Sequence, residues 1–271
     1  MRLYLAALSL FATALSGHAQ QPIVAIPITE PVTAAESVCL IDATTGQVIY
    51  EKNADQKRAV ASTQKLMTAI LVAEAGNLDE KIAVKHTDGQ VPPRNIWITQ
   101  GSYYTRKKLL EVMLVRSYND VTKCLARDHS GSSDQFATAM RAKATALGMT
   151  NSHFLNPHGL TVEGQYSTAR DMAVLARVAW ANPTIRQFVG TKQTTFTYHG
   201  GKTVKVDNSN ELLKRYPECV GMKTGYTQAA GRCLVGAATR GNKTVIAVLL
   251  GSTEEAIWDD AESALRWGLD R

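Results

Sequence analysis

The chain is poor in aromatics and cysteine, has no basic stripe, and holds no long apolar run beyond its first twenty residues. Phenylalanine, tryptophan and tyrosine make up 7% of 271 residues, too few for a stacking platform, and they read as core. The basic residues are scattered. The one short run, Arg106-Lys107-Lys108, opens a predicted helix and reads as a solvated face. Without basic residues interleaved with aromatics, nucleic acid is not expected as a partner. The formal charge of +6 is compatible with an anionic cell envelope but does not require one. His86, His129, His153, His158 and His199 show no paired ligand spacing, and the four cysteines match no zinc pattern, so no metal or cofactor is expected. There is no repeat or low-complexity segment.

What is present begins with a segment to subtract. Arg2 precedes an apolar stretch from Leu3 to Leu15, followed by Ser16-Gly17-His18-Ala19-Gln20. A basic start, an apolar stretch short for a bilayer and small residues at Gly17 and Ala19 describe a secretory signal peptide over residues 1–19, cut after Ala19. Nothing later reads as transmembrane. The mature protein is therefore expected to be exported and soluble, periplasmic or extracellular, with no stable membrane anchor. At 45% hydrophobic and 20% charged it can bury a full core. In an exported chain Cys39, Cys124, Cys219 and Cys233 permit two disulfides in three pairings. Cys219 and Cys233 fall on two arms of a predicted hairpin turning near Thr227–Ala230. That puts Cys233 opposite about Thr224, roughly 16 Å of strand from Cys219 and out of disulfide reach, which favours buried thiols over that bridge.

Residues 20–35, with Pro22, Pro27 and Pro31, read as an extended leader. Ser37–Glu51 reads as a hairpin around Ala43-Thr44-Thr45-Gly46. A helix is predicted from Ser62 to Ala75, stopped by Gly76-Asn77, and further helices over Thr105–Val115, after Asn119, over Ser133–Leu147 and over Thr168–Trp180. The pattern changes at Asn182-Pro183. A hairpin follows over Gln193–Val206, then strands Glu218–Gly225, Gly231–Thr239 and Thr244–Gly251, and a last helix Glu254–Gly268. Strands open and close the chain and helices fill its middle. The expected fold is α+β, with both ends sharing one antiparallel sheet and a helical lobe, roughly residues 68–185, inserted between them.

Three short clusters carry chemistry. Ser62 and Lys65, three apart at a helix start, share one helix face. A serine needs such a neighbouring base to become a nucleophile, though a chain this long shows roughly one Ser-x-x-Lys by chance. Ser117-Tyr118-Asn119 follows 55 residues later and Lys223-Thr224-Gly225 another 106 after that. Lys65 can take the Ser62 proton only when neutral, which burial or a nearby cation produces, and Lys223 is the named cation. Ser117 can relay a proton to a leaving amine, and Asn119 can bond both a lysine and a substrate amide. On a strand, Gly225 lets substrate lie flat while Lys223 and Thr224 offer donors to a carboxylate. Singly, each cluster has a bland reading as a helix start or a strand end; their order and separations do not.

That ordered triplet resembles the penicillin-binding-protein and serine β-lactamase superfamily. Leu147-Gly148-Met149-Thr150, Phe154 through Leu160, Tyr166 through Ala173 and Tyr216 through Thr227 look like the low-molecular-mass D-alanyl-D-alanine carboxypeptidases, over about Glu36–Gly268. The resemblance implies a β-lactamase/transpeptidase-like fold with a five-stranded antiparallel sheet. It implies catalytic Ser62, Lys65, Ser117 and Asn119, with Lys223, Thr224, Gly225 and Tyr226 binding substrate and the Ser62 and Tyr226 backbone N–H groups as oxyanion hole. It further implies peptidoglycan stem peptides as substrates and β-lactams as covalent inhibitors. D,D-carboxypeptidase activity is the first expectation and D,D-endopeptidase activity the second. A β-lactamase is weaker, because Glu163 is followed four residues later by Ser167 where class A enzymes have asparagine, and a wall-binding module is weaker still. Two departures stand out. The chain stops at Arg271, so neither a further β-domain nor a C-terminal anchor is expected. Relatives often place an arginine near the start of the last helix to meet the substrate carboxylate, whereas Thr253–Trp258 has none.

Overall fold

The computed structural model describes residues 30–271; the expected signal peptide over residues 1–19 and the expected leader up to residue 29 lie outside them. Strands β1 (Ser37–Asp42) and β2 (Val48–Lys52) form the opening hairpin. Asp42 closes it, its Oδ1 accepting the Thr44 and Thr45 N–H groups at 2.9 and 2.7 Å. The end of the leader is pinned alongside, because Lys52 Nζ donates to the Thr33 and Ala35 carbonyls at 2.9 Å each.

The middle of the chain is mostly helical. Helix α1 (Lys65–Glu74) is entered through a 3-10 turn, Ala61–Gln64, so Ser62 sits one tight turn before the α-helix proper and not on its first residue. A short ladder of β3 (Lys81–Ala83) and β4 (Tyr103–Thr105) leads into α2 (Arg106–Arg116), capped by Thr105. Then come α3 (Asn119–Ser130), α4 (Ser133–Ala146, capped by Ser132) and α5 (Ala169–Ala181, capped by Thr168). Helix α5 ends just before Asn182-Pro183, where the sequence pattern changes, but a helix that the sequence reading did not assign follows: Asn182 Oδ1 caps the N–H groups of Thr184 and Ile185, and Pro183 opens α6 (Pro183–Val189), where its missing N–H costs nothing. The hairpin β5 (Gln193–Thr197) and β6 (Thr203–Asp207) and the single turn α7 (Leu212–Arg215) complete this part.

Strands β7 (Cys219–Thr227), β8 (Gly231–Arg240) and β9 (Lys243–Ser252) return to the opening hairpin and complete a five-stranded sheet, antiparallel throughout, in the order β2-β1-β9-β8-β7. Alternation assigns side chains to two cores. Cys39, Ile41, Val235, Ile246 and Val248 face the helical lobe, while Leu40, Leu234, Val245 and Leu249 pack under α8 (Ile257–Leu269). Central β9, covered on both faces, is buried continuously from Val245 to Leu250. The architecture is the expected α+β one.

Cys233 lies opposite Gly225, one residue from the position counted in the sequence. All four sulfurs are unbridged and buried. No helix among the described residues is long and apolar enough to cross a membrane.

Candidate active site

Strand β7 is a sheet edge, and the 3-10 turn carrying Ser62 lies across it. The approach is close enough to require glycine. A Cβ on Gly225 would sit 2.9 Å from Ser62 N and 3.0 Å from Thr63 N. The other side of the turn is held by residues 156–160. Asn156 Oδ1 accepts the His158 and Gly159 N–H groups at 3.2 and 2.8 Å, and Asn156 Nδ2 donates to Leu160 O at 2.8 Å. Gln64 and Thr68 donate to the Asn156 and Pro157 carbonyls at 2.6 and 2.7 Å. Ser62 is therefore gripped between a strand edge and a hydrogen-bonded loop.

Lys65 is fully buried. Its Nζ lies 2.8 Å from Ser62 Oγ, 2.8 Å from Asn119 Oδ1 and 2.6 Å from His158 O. Burial drives its pKa well below the ordinary lysine value, with the Lys223 and Arg94 cations adding to the effect. Burial thus ranks ahead of Lys223, the cause named from sequence. A neutral amine here donates its two hydrogens to Asn119 Oδ1 and His158 O, which leaves its lone pair for the Ser62 O–H. An ammonium would donate to all three and could accept nothing.

Ser117 ends α2 in the left-handed region at φ 70°, an uncommon conformation for a residue with a side chain. Its Oγ is buried and has no hydrogen-bond partner in the protein. Asn119 starts α3; beyond its bond to Lys65 it donates through Nδ2 to Pro92 O at 3.2 Å and through its N–H to Arg94 O at 2.7 Å. The loop so contacted is anchored by buried Asp120, which accepts the N–H groups of Ile96, Trp97 and Ile98 at 2.7–3.2 Å.

Lys223 is buried beside Lys65, and burial followed by the Arg94 charge lowers its pKa to about 7. Its Nζ donates to Thr224 O at 2.9 Å. Thr224 Oγ1 is 2.7 Å from Ser209 Oγ, and Tyr226 is exposed on the strand edge. A cavity of about 510 Å³ opens over these groups. Of the eight sequence-predicted residues, Ser62, Ser117, Asn119, Thr224, Gly225 and Tyr226 line it, and Lys65 and Lys223 lie beneath. Sequence reasoning missed the His158 carbonyl, Ser209, and the pocket's arginines Arg94, Arg116 and Arg232. The His158 ring stays neutral, burial and then Lys65 lowering its pKa to about 3, and its Nδ1 accepts the Leu160 N–H at 3.3 Å. Among the described residues no cluster of histidine, cysteine or carboxylate side chains could hold a metal. The arrangement can activate a serine, donate to an anion along a strand edge and admit an extended peptide.

Residues 25–254 match the family model described as D-alanyl-D-alanine carboxypeptidase, peptidase S11. The chain is 36% identical over 224 residues to D-alanyl-D-alanine carboxypeptidase DacF of Bacillus subtilis, covering 81% of this chain and 58% of that one. It therefore spans little more than half the length of that relative. It is 36% identical over 227 residues to the D-alanyl-D-alanine endopeptidase of Escherichia coli, covering 82% of this chain and 72% of that one. The crystal structure of D-alanyl-D-alanine carboxypeptidase from Mycobacterium tuberculosis superimposes with a TM-score of 0.85 at 32% identity, covering 93% of this chain and 96% of that one.

Proposed function

The chain belongs to the D-alanyl-D-alanine carboxypeptidase family, and from that premise we propose that it is a serine D,D-carboxypeptidase removing the terminal D-alanine of peptidoglycan stem peptides. The observation that carries the reading is the 2.8 Å approach of buried Lys65 Nζ to Ser62 Oγ. Ser62 Oγ attacks the carbonyl of the penultimate D-alanine while Lys65 takes its proton. The C–N bond then breaks, the proton held by Lys65 passes by way of Ser117 Oγ to the leaving amine so that both residues regain their starting state, and D-alanine departs from an ester on Ser62. Water adds to that ester and leaves as the carboxylate of the shortened peptide, restoring the Ser62 hydroxyl. The unpartnered Ser117 Oγ supports its part in the relay. Lys223, Thr224, Gly225 and Tyr226 form the edge along which the substrate lies, and backbone N–H groups of Ser62 and Tyr226 receive the developing oxyanion. A β-lactam follows the same first step, but its amine stays tethered and the ester persists.

Export, a signal peptide at 1–19 and a catalytic domain over 36–268 belong to this proposal, since the substrate lies in the wall. The identity to an endopeptidase favours one second reading, attack on the D-alanyl bond of a peptide cross-link. A β-lactamase reading is disfavoured because Glu163 is exposed and lies outside the cavity lining. Mass analysis of products from a monomeric pentapeptide and from a cross-linked dimer tests the proposal. Free D-alanine from the monomer supports a carboxypeptidase; cleavage of the dimer alone makes it an endopeptidase, and cleavage of neither contradicts both.

A further inference from the structure

We propose that Arg232 receives the terminal carboxylate of the substrate and that Glu254 is the group this carboxylate displaces; the proposal rests on the carboxypeptidase reading above. A peptide ending in D-alanine brings a carboxylate into the cavity, and a planar guanidinium is the side chain best shaped to hold one. The segment Thr253–Trp258, which borders the cavity, offers only Glu254 and Glu255 as charged groups. Three arginines from elsewhere face the cavity, and they are not equivalent.

Arg232 stands on β8 directly opposite Tyr226, and Leu234 directly opposite Thr224. Cross-strand partners and residues two apart share a face, so Thr224, Tyr226 and Arg232 leave the sheet on the same side. About 7 Å of strand separates Thr224 from Tyr226, within the reach of an arginine side chain. The Arg232 guanidinium lies 4.6 Å from the centroid of the Tyr226 ring, which sets its plane beside the strand edge. It also already pairs with a carboxylate, that of Glu254. The Glu254 side chain is 73% exposed, so the pair is cheap to open and the carboxylate exchangeable. Arg94 comes from an irregular loop, and Arg116 Nη1 reaches the Asp207 carbonyl at 3.5 Å. Neither pairs with a carboxylate among the described residues, and both act as a longer-range positive field.

The test compares hydrolysis of an N-acylated tripeptide ending in D-Ala-D-Ala with that of the same peptide capped as its C-terminal carboxamide. The wild type should favour the acid roughly 10- to 100-fold in kcat/KM, the range of a charge-assisted pair. Arg232→Gln should erase that preference by slowing the acid alone, Arg232→Lys should restore part of it, and Glu254→Gln should lower KM for the acid and not for the amide. Because the acid-to-amide ratio is measured within one preparation, misfolding cancels from it. Equal loss on both peptides, a retained preference, or erasure by Arg94→Gln or Arg116→Gln overturns the assignment. A wild type that hydrolyses neither peptide overturns the carboxypeptidase reading on which the assignment rests, a different failure from the others.

Discussion

Replacing Gly159 by alanine tests whether the grip on Ser62 matters to its chemistry. Gly159 has φ +86°, and a Cβ there would fall 2.0 Å from the Ala61 carbonyl oxygen, 2.4 Å from its carbon and 2.9 Å from Ser62 N. Ordinary contact begins at 3.4 Å, so one of the two segments must retreat by about 1.4 Å. Neither is free to do so cheaply. Asn156 and Gln64 hold the 156–160 loop, and β7 backs the Ala61–Gln64 turn. The left-handed backbone alone costs about 1–2 kcal/mol, a fall of roughly 2–8 °C in Tm for a chain of this size. A 1 Å displacement of a reacting group costs about 100-fold in rate. Gly159→Ala should therefore remain folded, with a lowered Tm, and react with a fluorescent penicillin about 100-fold more slowly than wild type. Gly148→Ala is the control. Gly148 has φ +73° with nothing within 4 Å of its added Cβ, so it carries the backbone cost without the collision and should acylate normally. A folded Gly159→Ala protein acylating within about threefold of wild type would refute the reasoning.

Other consequences follow from burial. Between about pH 7 and 10.5 the unfolded chain binds a proton on Lys223 that the folded chain has released, so this group makes stability rise with pH across that window. Lys223→Met should therefore gain on wild type more at pH 7 than at pH 9, by on the order of 2 kcal/mol in urea unfolding; parallel curves would count against a buried, depressed Lys223. Asp120→Asn weakens the anchor of residues 96–98 and should lower stability by roughly 1–3 kcal/mol and slow acylation, read by thermal melting and penicillin labelling. Burial raises the thiols of Cys39 to about 12, of Cys219 and Cys233 to about 11, and of Cys124 further still. A disulfide-exchange reagent at pH 8 should find none of them in the native protein and all four after denaturation.

What the sequence made legible was whatever is local. Ser62–Lys65, Ser117–Asn119 and Lys223–Gly225 are short motifs whose order survives without knowledge of the fold, and the two-period strands at both ends announced the shared sheet. The misses have physical causes. Strands β3 and β4 are three residues each, too short for a period. Helix α6 hid behind Pro183, which reads as a break although it is also a good first residue once Asn182 caps it. A 3-10 turn at Ser62 has nearly the same apolar pattern as an α-helix start. The His158 carbonyl carries no side-chain signature at all. Arg232 was hidden by a single residue of register. With Cys233 opposite Thr224, Arg232 would pair with Gly225 and point toward the helical lobe. With the observed pairing it stands beside Tyr226 and points into the cavity.

The central claim is that Ser62 becomes acylated because buried Lys65 is available to take its proton. Peptide mapping by mass spectrometry after brief exposure to a penicillin tests this most directly, with Lys65→Met and Ser62→Ala alongside. The account predicts one adduct, on the peptide bearing Ser62, absent from Ser62→Ala and slowed by several orders of magnitude in a folded Lys65→Met. An unmodified wild type, an adduct on another residue, or Lys65→Met acylating at the wild-type rate would contradict it.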